Sequence, residues 1–211
     1  MPLDLATLVT PTETALITQE CQRGVIGDLS ALPELADNAS EVLPNIVQLV
    51  RVARQAGCSV IHCTAERRRD GLGANLNARI FQYMARAENP LVRGSGAAEI
   101  VPEIEIAASD ILLPRLHGLS PFQGTELDSL LRNLGVRSII AVGVSVNVAI
   151  QNLAFDAVNA GYQVVIPRDA VAGYPKEYCE DVFAHTLGAV ATLVSTGNLV
   201  ATWQKGSSRA T

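Results

Sequence analysis

Acidic, basic and imidazole side chains directly follow two apolar runs of this sequence. Glu20 comes after the run TALITQ, and Arg115 and His117 come at and just after the end of DILLPR. A carboxyl group can donate or accept a proton, a guanidinium clamps anions in a planar fork, and an imidazole titrates near neutrality. These residue types would suit acid–base chemistry on a small anionic substrate. Each also has a simpler interpretation, in which Glu20 and Arg115 form structural ion pairs and His117 is an exposed loop residue.

A third apolar run, RSIIAV, ends in the turn GVSVN at residues 143–147. A strand that ends in a turn of this kind and opens a helix is typical of the nucleophile position of a hydrolase. The side-chain hydroxyl of this turn belongs to Ser145, and no histidine lies near it in the sequence to act as its base. We therefore expect Ser145 to hydrogen-bond within the turn rather than to attack a substrate.

Apolar, β-branched runs recur along the chain, and helical patterns separate them. The runs are TALITQ (14–19), CSVIHCTA (58–65), DILLPR (110–115), RSIIAVGV (137–144), YQVVIPRDAV (162–171) and VATLVST (190–196). Continuous apolar strands that alternate with helices are typical of a parallel sheet covered on both faces. We predict a three-layer α/β/α, Rossmann-like domain with a mainly parallel sheet of about six strands. Ligands of such sheets bind beyond the carboxyl ends of the strands.

Four segments carry apolar residues at helical spacing, namely 35–57, 125–135, 147–161 and 176–190. Within the first of them, Pro44 predicts a kink or a break between two helices. The segment 67–109 is less regular, and a long insertion of this kind between two strands is often a lid or an oligomer contact. The polar tail at 205–211 is predicted to be disordered. The whole chain, 1–211, fits a single domain.

The composition favours a sizeable core and argues against several classes of partner. Of 211 residues 48% are hydrophobic, and 16 Lys plus Arg against 21 Asp plus Glu give a formal net charge of -5. Basic residues are scattered apart from the run at 67–69, so a nucleic-acid partner is not expected. No apolar run approaches the roughly 20 residues of a membrane helix, and the N-terminus has no signal-peptide pattern. We expect a cytoplasmic protein without a membrane partner.

The cysteines and histidines form no recognisable framework. Cysteines at 21, 58, 63 and 179 include no CxxC pair, and histidines at 62, 117 and 185 do not cluster with them. We therefore expect neither a disulfide framework nor a metal site, and we expect no cofactor. The cysteines are predicted to pack as small apolar residues.

Several segments together resemble the isochorismatase-like hydrolases, the superfamily that also contains nicotinamidases and N-carbamoylsarcosine amidases. TALITQECQRGVIG resembles the opening strand of that family, and RGSGAAEIVPEI with SDILLPR resembles its Gly-rich turn and the strand that delivers its lysine. The specific part is LSPFQGTELDSLLRNLGVRSIIAVGVSVNVAIQNLAFDAVNAGYQVVIPRDAVAG. The resemblance covers about residues 12–196 and implies a hydrolase fold that is commonly assembled as a homodimer or homotetramer.

The catalytic positions of the family's thiol members are altered in this chain. The resemblance places Ala149 where those members have a Cys nucleophile and Glu20 where they have an Asp. It places Arg115, or alternatively Leu116 or His117, where they have a Lys. A methyl group cannot attack a carbonyl, so the covalent thioester route is closed. The family's true isochorismatases also lack the Cys, and they hydrolyse a vinyl ether with a carboxylic acid and water.

The resemblance therefore implies cofactor-free hydrolysis of a small, anionic or carbonyl-bearing metabolite. Glu20 would be the general acid, Arg115 would bind an anion, and the substrate would occupy the space above Ala149. Family members often have a cis peptide in the GV turn, which would be Val144–Ser145 here. The implied substrate-binding residues are His117, Val144, Ser145 and Phe122.

Two other hypotheses stay open. A catalytically silent member would bind a small molecule or act as an oligomeric scaffold, and a salt bridge or an apolar plug that fills the site would favour it. A thiol amidase would require Cys21 or Cys63 to reach the position of Ala149.

Overall fold

The strands lie where the apolar runs predict them. In the computed structural model, which describes residues 4–207, they are β1 Thr14–Gln19, β2 Ser59–Ala65, β3 Ile111–Arg115, β4 Ser138–Val144, β5 Gln163–Pro167, β6 Val171–Ala172 and β7 Thr192–Val194. They form one sheet in the order β3-β2-β1-β4-β5-β7, with β6 beside the end of β4, and all of these pairs are parallel. The predicted parallel sheet is confirmed, with seven strands rather than about six.

The run at 162–171 accounts for the additional strand. After Pro167 the chain makes a 3-10 turn at Arg168–Ala170, and the next two residues pair with β4 instead of continuing along β5. A continuous apolar pattern does not distinguish one strand from two strands with a turn between them.

The helices cover both faces of the sheet. They are α1 Leu5–Leu8, α2 Arg23–Ile26, α3 Pro33–Ala56, α4 Arg79–Ala85, α5 Leu127–Asn133, α6 Gln151–Asn159, α7 Lys176–Val182, α8 Gly188–Val190 and α9 Thr196–Ser207. π-helical turns precede α6 at Val146–Ile150 and follow α7 at Phe183–Leu187. Helix α3 continues through Pro44, so the predicted break is wrong. The tail at 205–211, which is predicted to be disordered, is helical as far as Ser207. Residues 208–211 lie outside the described residues.

Alternating side chains of the sheet build two apolar cores. Leu16 of β1 packs into the core with α3 and α9, whereas Ala15 and Ile17 pack into the core with α5 and α6. This alternation follows from the period of two of a β-strand, and it produces the three layers that the sequence predicts.

A buried polar cluster ties the end of the insertion to the sheet. His62 of β2 is fully buried, with Nδ1 2.8 Å from the Thr18 hydroxyl and Nε2 3.1 Å from a carboxylate oxygen of Asp110. Asp110 also accepts hydrogen bonds of 3.0 and 2.5 Å from Arg54 of α3. Burial lowers the pKa of His62 below its ordinary value despite the nearby Asp110 carboxylate. These contacts suit a neutral imidazole that carries its proton on Nε2.

Candidate active site

Strand order reverses at β1, and this reversal determines where a ligand can bind. From β1 the sheet extends to β2 and β3 on one side and to β4, β5 and β7 on the other. The connections from β1 and β4 therefore leave on opposite faces of the sheet, and a crevice forms beyond the carboxyl ends of these two strands. Glu20 follows β1 directly, and the turn that begins with Ser145 follows β4. The sheet thus brings two of the predicted site segments to one edge.

The backbone of Glu20 has an unusual conformation. Its φ is 54°, which makes it the one non-glycine residue with a positive φ in the described part of the chain. Its N–H donates to the carbonyl oxygen of Cys63 at 2.9 Å, so the turn is held to β2. A left-handed conformation at a residue with a long side chain is uncommon and often marks a functional position.

The carboxylate of Glu20 is bound to Arg115. Oε1 accepts a hydrogen bond of 2.5 Å from Nη2 of Arg115 and one of 2.9 Å from the side-chain amide of Gln19. The two charged side chains are 16% and 5% exposed. Arg115 lies at the end of β3, two strands away from β1, so the Glu20 side chain extends across the end of β2 to reach it.

Two polar atoms at this ion pair have no hydrogen-bond partner within residues 4–207. Arg115 donates through Nε to the carbonyl oxygen of Gly118 at 3.1 Å, whereas its Nη1 is buried and unpartnered among the described residues. The side-chain oxygen of Gln19 is likewise buried without a donor in residues 4–207. Because buried polar groups are nearly always hydrogen-bonded, these two atoms leave hydrogen-bonding capacity unused beside the ion pair.

A cavity of about 130 Å³ lies in front of the ion pair. Glu20, Arg115, Leu116 and His117 line it on the sheet side. Of the three residues considered for the family's lysine position, Arg115 is the one whose side chain hydrogen-bonds Glu20. His117 lies against Gly124, where an added Cβ would be 2.5 Å from the imidazole Cε1.

The insertion at 67–109 covers the cavity on its other side. Ile80, Phe81 and Met84 of the α4 region line the space, and so does Asn75. Asn75 Oδ1 accepts a hydrogen bond of 2.8 Å from the N–H of Gly118, which joins the insertion to the loop after β3. Residues of the insertion thus line the cavity, and its role as a lid or an oligomer contact stays a prediction.

The turn after β4 forms the other side of the crevice. Val144 is buried, and the Val144–Ser145 peptide bond is cis, as the family resemblance implies. Ala149 is 3% exposed within the π-helical turn, where the Ile150 N–H donates to the Ser145 carbonyl oxygen at 3.0 Å. None of these residues is among those that line the cavity.

Phe122 lies elsewhere. Its ring is 6.1 Å from the ring of Tyr162, and it packs against the core of the α5 and α6 layer. The structure therefore brings Glu20, Arg115 and His117 together at the cavity. The other predicted site residues lie outside the residues that line it, namely Phe122, Val144, Ser145 and Ala149.

The thiols near the site are buried and protonated. Burial, with the Glu20 carboxylate, raises the pKa of Cys21 to about 12. Burial also raises the pKa of Cys63 to about 12, with opposing effects from Arg115 and Glu20. A thiol with such a pKa is a poor nucleophile at neutral pH. These cysteines pack as apolar residues.

Three residues of the site, Gln19, Arg67 and Asn75, were missed by reasoning from the sequence. Gln19 precedes Glu20 in the same strand-end segment, and that position was the available signal. Arg67 and Asn75 belong to the irregular insertion, where no periodic pattern indicates the direction of a side chain.

Among the described residues, no group of three or more His, Cys, Asp or Glu is arranged to hold a metal ion. Within residues 4–207, no helix combines the length and apolarity needed to span a bilayer.

A wholly parallel sheet in this strand order, with charged residues at its switch point, defines a doubly wound α/β domain. The family model described as "Isochorismatase domain" matches residues 14–198. The chain therefore belongs to the isochorismatase family.

Individual relatives agree with this assignment. A probable inactive nicotinamidase from Arabidopsis thaliana is 30% identical over 78% of this chain and 83% of its own length. A ureidoacrylate amidohydrolase from Rhizobium rhizogenes is 27% identical over 87% of this chain and 81% of its own length. The crystal structure of an isochorismatase family protein from Desulfovibrio vulgaris superposes with a TM-score of 0.79 and 28% identity, covering 89% of this chain and 96% of that one.

Proposed function

We propose that this protein hydrolyses a small anionic metabolite in the cavity beside Glu20 and Arg115, without a covalent thiol intermediate. The observation that carries the proposal is the Glu20–Arg115 pair at the cavity wall, together with the unpartnered Nη1 of the same guanidinium. The family membership supports the reaction class, since a relative is named as an amidohydrolase. The bond broken is of the amide or ether type.

Arg115 selects for an anion. Its Nε and Nη2 bind the Gly118 carbonyl oxygen and Glu20, and its buried Nη1 has no partner among the described residues. A carboxylate on the substrate would compete with Glu20 for this guanidinium, and charge-assisted hydrogen bonds of this kind are among the strongest in proteins.

Glu20 transfers the proton. Its carboxylate accepts hydrogen bonds from Arg115 and Gln19. A substrate anion that binds Arg115 competes with Glu20 for the guanidinium, and Glu20 is then free to take up a proton and deliver it to the substrate. Ala149 has no atom that could attack, so water supplies the oxygen that joins the product.

Hydrolysis of a substrate panel tests this proposal. The panel contains isochorismate, ureidoacrylate, nicotinamide and N-carbamoyl amino acids, and the proteins are the parent and Glu20→Gln. We expect at least one anionic member to be hydrolysed and Glu20→Gln to lower kcat/KM by about a hundredfold or more. The control is Glu180→Gln, which breaks another short Arg–Glu pair, 2.5 Å from Arg168, at the surface. Hydrolysis by Glu20→Gln at the parent's rate, or no turnover of any member, would contradict the proposal.

A second candidate function is that of a catalytically silent binding protein. The direct salt bridge between Glu20 and Arg115 favours it, because the pair satisfies much of the site's charge without a substrate. The Arabidopsis relative named as probably inactive points the same way. In that case panel members would raise the melting temperature without forming product.

Ala149→Cys would then show whether the pocket still supports the family's thiol reaction, since a gain of amidase activity requires the surrounding groups to be in place.

A further inference from the structure

Arg67 lines the same cavity as Arg115 but approaches it from the insertion. Its backbone is fixed on both sides, since its N–H donates to Leu91 at 2.8 Å and its carbonyl oxygen accepts from Arg93 at 2.9 Å. The guanidinium passes close to Gly71, where an added Cβ would lie 2.6 Å from Nη2. The side chain is therefore held in place by the local fold.

The guanidinium of Arg67 has few partners. Its Nη1 makes one long hydrogen bond of 3.3 Å to the carbonyl oxygen of Ala85, and its Nε is buried with no partner in residues 4–207. No carboxylate of the described chain lies within salt-bridge distance of it. A guanidinium without a carboxylate partner attracts anionic groups, and its charge-assisted hydrogen bonds to carboxylates are strong.

The carboxylates of the cavity wall do not neutralise Arg67. Glu66, its neighbour in the sequence, is bound to Arg93 at 2.8 Å, and Glu20 is bound to Arg115. With those two pairs formed, the charge of Arg67 is the one left uncompensated among the described Asp, Glu, Lys and Arg that line this cavity. The cavity wall thus holds two guanidinium groups, those of Arg115 and Arg67, and each has one buried nitrogen without a partner among the described residues.

Apolar side chains make up much of the remaining wall. They include Val25, Leu32, Phe81, Met84 and Leu91. This wall favours an apolar unit in the ligand, because burial of apolar surface is favourable and these side chains offer no hydrogen bond.

We infer that the cavity binds a small molecule with two anionic groups joined by an apolar unit, one group on Arg115 and the other on Arg67. The inference rests on the proposed function for Arg115 and adds Arg67 as the residue that selects a dianion over a monoanion. Two guanidinium groups in the wall of one cavity match two carboxylates better than a single one.

Binding of isophthalate and benzoate, measured by isothermal titration calorimetry, tests this inference. These probes share one ring and differ by one carboxylate. We expect the parent to bind isophthalate about tenfold more tightly than benzoate, and Arg67→Gln to lose that preference while its benzoate affinity stays unchanged. Arg67→Lys keeps the charge without Nε and should retain part of the preference. Arg69→Gln removes an exposed arginine outside the cavity and should behave as the parent.

The outcomes separate the two proposals. Equal affinity of the parent for both probes, a preference that survives in Arg67→Gln, or no binding of isophthalate overturns the role of Arg67. Hydrolysis that depends on Glu20 can still be observed in that case. Conversely, a preference that disappears in Arg67→Gln supports the dianion site even if no panel member is hydrolysed. Circular dichroism and melting temperature identify any variant that fails to fold, and Arg67→Lys then carries the comparison.

Discussion

Gly143 lies where β4 passes close to the end of β1. Its φ is 108°, and an added Cβ would lie 2.3 Å from the carbonyl oxygen of Gln19. Neither the conformation nor the backbone contact can relax without moving the sheet. We expect Gly143→Ala to lower the free energy of unfolding by about 3 kcal/mol, measured by urea denaturation.

Gly161→Ala is the control for this prediction. Gly161 also has a positive φ, 90°, but a Cβ added there would meet nothing within 4 Å. Its substitution should cost only the left-handed backbone conformation, about 1 kcal/mol. Equal losses at the two glycines would show that the contact with Gln19 has no energetic effect.

The cysteines beside Glu20 should resist alkylation. Burial is the main cause that raises the pKa of Cys21 and Cys63 to about 12, so both remain thiols at pH 8. We expect iodoacetamide to leave both unmodified in the folded protein at pH 8 and to label all 4 cysteines after denaturation, as read by mass spectrometry. Rapid labelling of either residue in the folded state would restore the displaced-thiol hypothesis.

At the residue scale, strand ends were the informative signal. Glu20, Arg115 and His117 follow apolar runs, and parallel pairing brings such positions to one edge, so their convergence could be predicted. The contact of Arg67 with the same cavity could not be predicted, because the position of this residue depends on backbone hydrogen bonds to Leu91 and Arg93. Those contacts join positions more than twenty residues apart within the irregular insertion.

Among the elements, β1, β2 and α3 meet at the buried cluster of Thr18, His62, Asp110 and Arg54. Burial lowers the pKa of His62 below its ordinary value of 6.5. Burial alone would raise the pKa of Asp110, but hydrogen bonds from Arg54, the Ala107 N–H and His62 lower it below 3.8. Both groups therefore bind a proton more readily in the unfolded chain than in the folded one.

Stability should consequently fall as the pH falls. Below about pH 6.5 the unfolded chain gains a proton on His62 that the folded chain resists, whereas the contribution of Asp110 is lost only below its ordinary value near 3.8. Between pH 7.5 and 5.5 we expect His62 to lower the free energy of unfolding, by at most about 1.4 kcal/mol, which is the limit for an imidazole that stays neutral in the folded chain.

Urea denaturation at pH 7.5, 6.5 and 5.5 measures this dependence. We expect His62→Gln to flatten it, whatever its effect on stability at pH 7.5. His185→Gln changes an exposed histidine and should keep the slope of the parent. An unchanged slope in His62→Gln would rule out the cluster as the source.

The elements were largely predictable from periodicity, and the exceptions have local causes. The runs of β1, β2 and β4 are mostly apolar because both of their faces are buried. Pro44 does not break α3, since the apolar residues on both sides of it pack against the same core. Only tertiary packing decides between a kinked helix and a broken one.

For the whole molecule, the insertion presents one face to the cavity and another to solvent. Leu72, Leu76 and Tyr83 are 69%, 59% and 54% exposed. Exposed apolar groups of this size favour association with a second copy, so the predicted homodimer or homotetramer stays our expectation. Light scattering should give a multiple of the monomer mass for the parent and a lower multiple for Leu72→Ser combined with Leu76→Ser.

The control for this experiment is Leu134→Ser, at a leucine that is 41% exposed outside the insertion. It should leave the mass unchanged. A parent that is monomeric throughout would contradict the expectation.

The predicted cytoplasmic location and the single-domain assignment for 1–211 likewise stay predictions.

The order of the strands also affects when the parts of the molecule can form during synthesis. The described residues that line the cavity all lie between Glu20 and Leu119, around β1, β2 and β3. The pairing of β1 with β4 joins Thr14 to Ser138, so one edge of β1 stays open until much of the chain has been made. Such long-range pairing is slow and leaves apolar strand surface exposed in the meantime. The half of the chain that builds the pocket is thus translated first, and it depends for protection from aggregation on the half that emerges last.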